Sequence, residues 1–222
     1  MKNSYTAIHY NKELRPYSNY SWLLGRHLAD KYYKSRTGKL LDVGCGRGEY
    51  VEIFNKLGFD AYGVDLEATA DKTKRVDLET ESIPYPDNFF NFIMCKSVIE
   101  HIRNVYHLMD EMYRVLKPGG KIVIMTCDWR TVYKIFYLDV DHKTPFMTWS
   151  LRDLLLRYDL KNVKAEYFYC LPYTWKSEFL HFIPRLIAFL IPIDFSPTVK
   201  LNFLIKQIKF SRERQILGYG EK

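Results

Sequence analysis

Apolar residues recur along this chain in short blocks, and the spacing within each block predicts its conformation. Residues 18–35 carry Trp22, Leu23, Leu24, Leu28 and Tyr32 at helical intervals, and Arg36-Thr37-Gly38 breaks the run. Residues 39–43 (KLLDV) read as a short buried strand, residues 48–57 as a helix closed by Gly58, and residues 60–64 (DAYGV) as a strand finishing at Asp65. After a loop holding Pro84 and Pro86, residues 89–95 (FFNFIMC) predict the next strand. A helix over 105–116 stops at Lys117-Pro118-Gly119-Gly120, and residues 121–126 (KIVIMT) follow as a strongly apolar strand. Residues 151–158 predict a further helix and residues 163–170 a further strand. Alternating strands and helices, with little polar interruption in the strands, predict an α/β fold around a parallel, doubly wound sheet.

In such a sheet a ligand lies beyond the carboxyl ends of the strands. That places the candidate site at residues 42–48, Asp65, residues 95–97, residues 126–128 and Cys170. Gly44, Gly46 and Gly48 let the backbone turn tightly after the first strand and approach a ligand closely. The helix that follows adds unpaired N–H groups and a positive dipole end. A dinucleotide fingerprint needs glycine at position 49, where this chain has Glu49. Instead Asp42 precedes the first glycine by two residues, which suits a cationic amine and not a pyrophosphate. Asp65 is placed to accept ribose hydroxyls, and Asp77-Leu78 offers a carboxylate to an exocyclic amine.

Composition narrows the class. At 222 residues, 47% hydrophobic and 27% charged, the chain can bury a core and is not a disordered segment. Cys45, Cys95, Cys127 and Cys170 are scattered, which argues against a disulfide framework or zinc cluster and suits a reducing cytoplasm. The first twenty residues hold no apolar core of a secretory signal. The net charge of +7 is concentrated late: from Leu171 onward eight basic residues face four acidic ones. A basic end favours an acidic partner such as phosphate groups, an anionic membrane or RNA.

The run LLDVGCGRGEY resembles the first motif of class I S-adenosyl-L-methionine (SAM)-dependent methyltransferases, type 11-like. GVDLE is similar to their acidic second motif, RVDLETESIPYPDNFFNFIMCKSVIEHI to their adenine-pocket segment and fourth strand, and YRVLKPGGKIVIMT to their helix, loop and fifth strand. The resemblance spans about residues 38–128 in family order. It implies a Rossmann-like, seven-stranded, mostly parallel sheet with helices on both faces and an antiparallel last strand, assigned here to residues 202–210 (NFLIKQIKF). It also implies SAM as cofactor and S-adenosyl-L-homocysteine as product. Asp42, Gly44, Cys45 and Gly46 would line the methionine moiety, Asp65 and Leu66 the ribose, Asp77 and Leu78 the adenine, and Lys96 would lie under the cofactor. Residues 1–37 form a helical cap and residues 38–222 the catalytic domain in this reading.

Methyl transfer from a sulfonium needs alignment of nucleophile and methyl, and a general base when the nucleophile is a hydroxyl. His101, Asp128, Asp141 and His142 are the candidates, with His142 preferred because residues 141–146 (DHKTPF) resemble a stretch in sugar, polysaccharide and other small-molecule methyltransferases. A metal-dependent branch of the family carries ExxEH at this place. Here Ser97 replaces the first glutamate, and with only Glu100 and His101 left no metal is expected.

Residues 171–199 then link strands six and seven on the cofactor side as an insert rich in aromatics and prolines. Its apolar stretch 179–193 has 15 residues and includes Pro184 and Arg185, whereas a membrane span takes about 20. The insert is read as a substrate lid, as an interfacial helix meeting the inner face of a membrane, or as a homodimer contact. The expected activity is O-methylation of a sugar, glycan intermediate or lipid-linked small molecule. An RNA 2′-O-methyltransferase and a catalytically silent SAM-binding subunit are the alternatives. The lack of an RNA-binding motif disfavours nucleic acid as a partner.

Overall fold

The computed structural model describes residues 19–191 and 203–222. Helix α1 (Asn19–Leu28) continues into a π-helical turn (Ala29–Tyr33) that ends at Lys34 in the left-handed region. Strand β1 (Lys39–Val43), helix α2 (Glu49–Lys56), strand β2 (Asp60–Asp65) and strand β3 (Thr73–Arg75) follow. Strand β4 (Phe90–Lys96), helix α3 (Val105–Val115), strand β5 (Leu116–Cys127), helix α4 (Thr148–Arg157) and strand β6 (Lys161–Phe168) complete the alternating part. The chain then forms helix α5 (Phe182–Leu190), helix α6 (Phe203–Arg212) and strand β7 (Gln215–Glu221).

The sheet order is β3-β2-β1-β4-β5-β7-β6. All strands run parallel except β7, which pairs antiparallel with both β5 and β6. The seven-stranded, mostly parallel Rossmann-like sheet is therefore present, with its reversed strand inside the edge. Two apolar layers cover it. Leu41, Val43, Ile93 and Ile124 pack toward α3 and α4, while Leu40, Met94, Val123 and Leu217 pack toward α1 and α2. Tyr33 anchors the π-turn by donating from its hydroxyl to the Ile93 carbonyl at 3.0 Å, inside the core.

The last strand differs from the sequence expectation. Residues 203–210 of the expected strand are helical, and the antiparallel strand is Gln215–Glu221. A short apolar run such as NFLIKQIKF satisfies strand and helix spacing alike. QILGYGE was obscured by its two glycines, which ordinarily weaken a strand. Packing explains them: a Cβ at Gly218 would lie 2.9 Å from Leu151, and one at Gly220 3.0 Å from Leu160. Strand β3 (TKR) was also missed, because an edge strand of polar residues leaves no hydrophobic pattern. Of the insert, residues 192–199 lie outside the described residues, as do residues 1–18 of the expected cap.

Candidate functional site

The carboxyl ends of β1, β2 and β4 open onto one cavity of about 330 Å³, within the range of small-molecule sites. Its wall brings together Asp42, Gly44, Cys45, Gly46, Asp65, Leu66, Leu78, Lys96 and His101. After β1 the chain turns through Gly44 at φ +74° and Gly46 at φ +50°, a region costly for residues with a Cβ. Space is equally restrictive at Gly44, where an added Cβ would lie 2.0 Å from the Val98 side chain. The turn is held by Gly44 N–H donating to Val64 O at 2.8 Å and Gly46 N–H donating to Asp65 Oδ2 at 2.9 Å.

Asp42 is the electrostatic centre of this end. It is 2% exposed, and its Oδ2 has no hydrogen-bond partner among the described residues. Burial, reinforced by the negative charges of Asp65 and Glu49 and opposed by Lys96, pushes its carboxyl well above the usual range. A buried acceptor without a donor is costly, so the site favours a ligand that brings a cationic donor.

At the opposite end Val76, Leu78 and Glu79 line the cavity. Asp77 is not part of that wall; its carboxylate accepts from Glu79 N–H at 2.9 Å and from the Thr80 hydroxyl at 3.1 Å, closing a local turn. Glu79 accepts from the backbone N–H of Arg103 and Asn104 and from Lys143 Nζ at 2.8 Å. Burial raises the Glu79 pKa, but Lys143 and the two N–H groups outweigh it and hold the carboxyl below the usual range. This pair fastens the loop carrying Asp141 and Lys143 to the Glu79 side of the cavity wall, a tie the sequence did not reveal. Ser97, at φ +55° directly after β4, is a non-glycine residue in strained backbone at the cavity wall.

The candidate bases separate. Asp128 is fully buried away from the cavity wall, where its carboxylate meets Arg214 Nη2 at 3.1 Å and its backbone bridges to Phe146. That arrangement clamps the end of β5 to the start of β7. His101 lines the cavity, and His142 packs behind it with ring centroids 4.7 Å apart. His142 Nδ1 lies 2.7 Å from the Phe136 carbonyl, which can only accept, so Nδ1 donates there, and Nε2 lies 4.0 Å from Asp139 Oδ2. Glu100 lies beneath them, 3% exposed, and its Oε2 has no partner.

A profile described as a methyltransferase domain matches residues 15–165. The chain belongs to this methyltransferase family. It is an enzyme that uses SAM. An uncharacterized protein of Methanocaldococcus jannaschii is 29% identical over 138 residues, covering 58% of this chain and 67% of that one. A ubiquinone biosynthesis O-methyltransferase of Bradyrhizobium is 31% identical over 106 residues, covering 42% of each chain. This enzyme thus spans less than half the length of that relative. A SAM-dependent methyltransferase from Archaeoglobus fulgidus shares the fold with a TM-score of 0.64 and 20% identity, covering 99% of this chain and 100% of that one. For the methyltransferase, the buried, unpartnered Asp42 oxygen and the Cβ-excluding turn at Gly44 fit a cofactor that carries an ammonium group close to the backbone.

Proposed function

We propose that this methyltransferase acts on a hydroxyl of a small acceptor: a sugar, a glycan intermediate or a lipid-linked molecule. The observation that carries the reading is an imidazole, His101, on the wall of the cofactor cavity with a second imidazole packed against it. Oxygen nucleophiles need a proton drawn off, which carbon–sulfur bond breaking alone does not accomplish. The O-methyltransferase among the relatives points the same way.

In this reading Asp42 pairs with the cofactor's ammonium group, Gly44 and Gly46 bring backbone against it, and Asp65 holds the ribose. Leu66 and Leu78 cover the apolar part of the adenine, with Glu79 a polar group on the same wall. Bound SAM supplies an electrophilic methyl on a sulfonium. The acceptor hydroxyl gives up its proton on the His101 side of the cavity. Its oxygen would then take the methyl carbon from sulfur, with S-adenosyl-L-homocysteine as the product. The protein's main contribution is alignment in a site partly closed by Lys143 and Glu79.

The lipid-linked member of the acceptor class draws support from α5. Phe182, Leu186, Phe189 and Leu190 are exposed on this helix, and Phe179 is exposed just before it. No helix among the described residues is long and apolar enough to cross a membrane. Such a surface suits contact with a lipid or its carrier.

The test is methyl transfer to a panel of sugars, glycans and hydroxylated lipids, read as a methyl-ether product by mass spectrometry. His101→Ala should lower turnover about 10²–10⁴-fold with SAM affinity intact, and Gly44→Arg should abolish SAM binding. Transfer only to nitrogen or carbon acceptors would overturn the reading. Tight SAM binding with no transfer at all would favour a silent, regulatory subunit.

A further inference from the structure

The segment between β5 and α4 is apolar on two sides. Val132 and Phe136 are buried, with the Trp129 ring set edge-on to Phe136 at 5.0 Å. Tyr133, Tyr137, Leu138 and Val140 are exposed, Val140 to 88%. Trp149, 71% exposed in the first turn of α4, belongs to the same end of the sheet, where Phe146 bridges to Asp128. The buried pair anchors the segment, and an exposed apolar set beyond it marks a contact surface. Through the end of α6 this surface is joined to α5. Arg214, two residues past α6, donates from its backbone N–H to the Thr131 hydroxyl at 3.3 Å, and Arg212 of α6 donates to the Ala188 carbonyl of α5 at 3.2 Å. Along α5 and the turn before it, Phe179, Phe182, Leu186 and Phe189 are exposed at intervals of three and four residues, one face of a helix. The exposed charges there are mostly of one sign. Among the described residues 129–140, 176–190 and 204–206, Arg130, Lys134, Lys176, Arg185 and Lys206 are exposed, against the exposed acid Glu178.

We infer that the β5–α4 segment, together with α5, docks this enzyme on an anionic lipid bilayer with the cofactor cavity opening toward the lipid. Aromatic and aliphatic side chains that enter the boundary layer, with cations beside them for the headgroups, are what an interfacial surface needs. Charge decides against a second copy of the chain. A two-fold contact would set these five cations against five more, whereas anionic headgroups complement them. The orientation follows from the chain path. Val140 directly precedes Asp141, which lines the cavity, and β6, parallel to β5, releases the insert from the same end of the sheet. Entry of a lipid-linked acceptor from the bilayer rests on the function proposed above; the docking does not.

The experiment mixes the full chain, without SAM or acceptor, with vesicles of phosphatidylcholine alone or with phosphatidylglycerol added, in both cases with and without brominated acyl chains. Expected is binding to the anionic vesicles that weakens as salt is raised, with tryptophan fluorescence quenched by the bromine. Trp149→Phe should remove most of that quenching while binding persists. Leu138→Asp with Val140→Asp should weaken binding about 10-fold or more, and Lys134→Glu about 5-fold or more. SAM affinity should be unchanged in each, because none of these side chains lines the cavity. If the double variant fails that folding control, the quenching of the unmodified protein and its loss in Trp149→Phe decide. Equal binding to neutral vesicles, no quenching, or unchanged affinity in the variants overturns the inference. A dimer dissolved by Leu138→Asp with Val140→Asp, without vesicle binding, overturns it in favour of a second copy. Docking without methyl transfer to any lipid-linked acceptor would sink that acceptor and leave the surface standing.

Discussion

At the scale of single residues, function and stability pull against each other at Asp42. Its pKa is raised by burial, so the folded state binds a proton more tightly than the unfolded chain does. Without ligand, stability therefore falls as pH rises from the ordinary carboxylate range toward the folded-state pKa. Asp42→Asn should flatten this slope and raise the melting temperature at pH 7, by about 2–4 °C for each kcal/mol relieved, while calorimetry shows SAM affinity lost. Asp60 has the opposite sign. Lys39 at 2.7 Å, aided by Lys72 and Tyr62, draws its pKa down to about 2. Its contribution is present above the ordinary carboxylate pKa and is lost as pH falls toward 2, so Asp60→Asn should reduce acid sensitivity in that window, measured by pH-jump denaturation. The Asp128–Arg214 pair is structural in a different way. Arg214→Ala leaves a fully buried carboxylate unpaired and should cost about 3–5 kcal/mol in urea unfolding. SAM affinity of the folded fraction should be unchanged, because the pair lies outside the cavity wall.

At the scale of elements, β7 shows how a strand is selected by its neighbours. Ile216, Leu217 and Tyr219 are buried, and Gly218 and Gly220 leave the space into which Leu151 and Leu160 pack. Gly218→Val should overpack the interface with α4 and cost about 1–3 kcal/mol by chemical denaturation. The same logic separates the well-read strands from the missed ones. Residues 39–43 and 121–126 announce themselves because both faces are covered and the side chains do the covering. In β7 much of the covering is done by α4, so the signal lies in another part of the chain.

At the scale of the whole molecule, the insert after β6 leaves from the sheet edge that carries the cofactor cavity, since β6 runs parallel to β5 and β4. Helices α5 and α6 pack together there, with Arg212 Nη1 donating to the Ala188 carbonyl at 3.2 Å. Phe189 is 81% and Leu186 51% exposed, and Arg185 on the same helix and Lys206 on α6 are exposed too. Flotation with vesicles rich in anionic lipid should carry the protein, and Leu186→Asp with Phe189→Asp should abolish it; no flotation by the unmodified protein would remove membrane contact from the reading. The cofactor end was legible in the sequence because its residues are local: Asp42 lies at the end of β1, Gly44 through Gly48 form the turn after it and Asp65 ends the next strand, so one contiguous motif carries the family resemblance. The acceptor end was not. His101 stands by itself in the sequence until the fold packs His142 against its ring, and Asp128 is expected as a base from its place at the end of β5, whereas the fold buries it against Arg214. Sequence by itself determined the family, the cofactor and the alternating sheet, whose signals are periodic or contiguous. Only tertiary structure decided which distant polar side chains share a site, because that depends on which loops cross above the sheet and not on the spacing within any one of them.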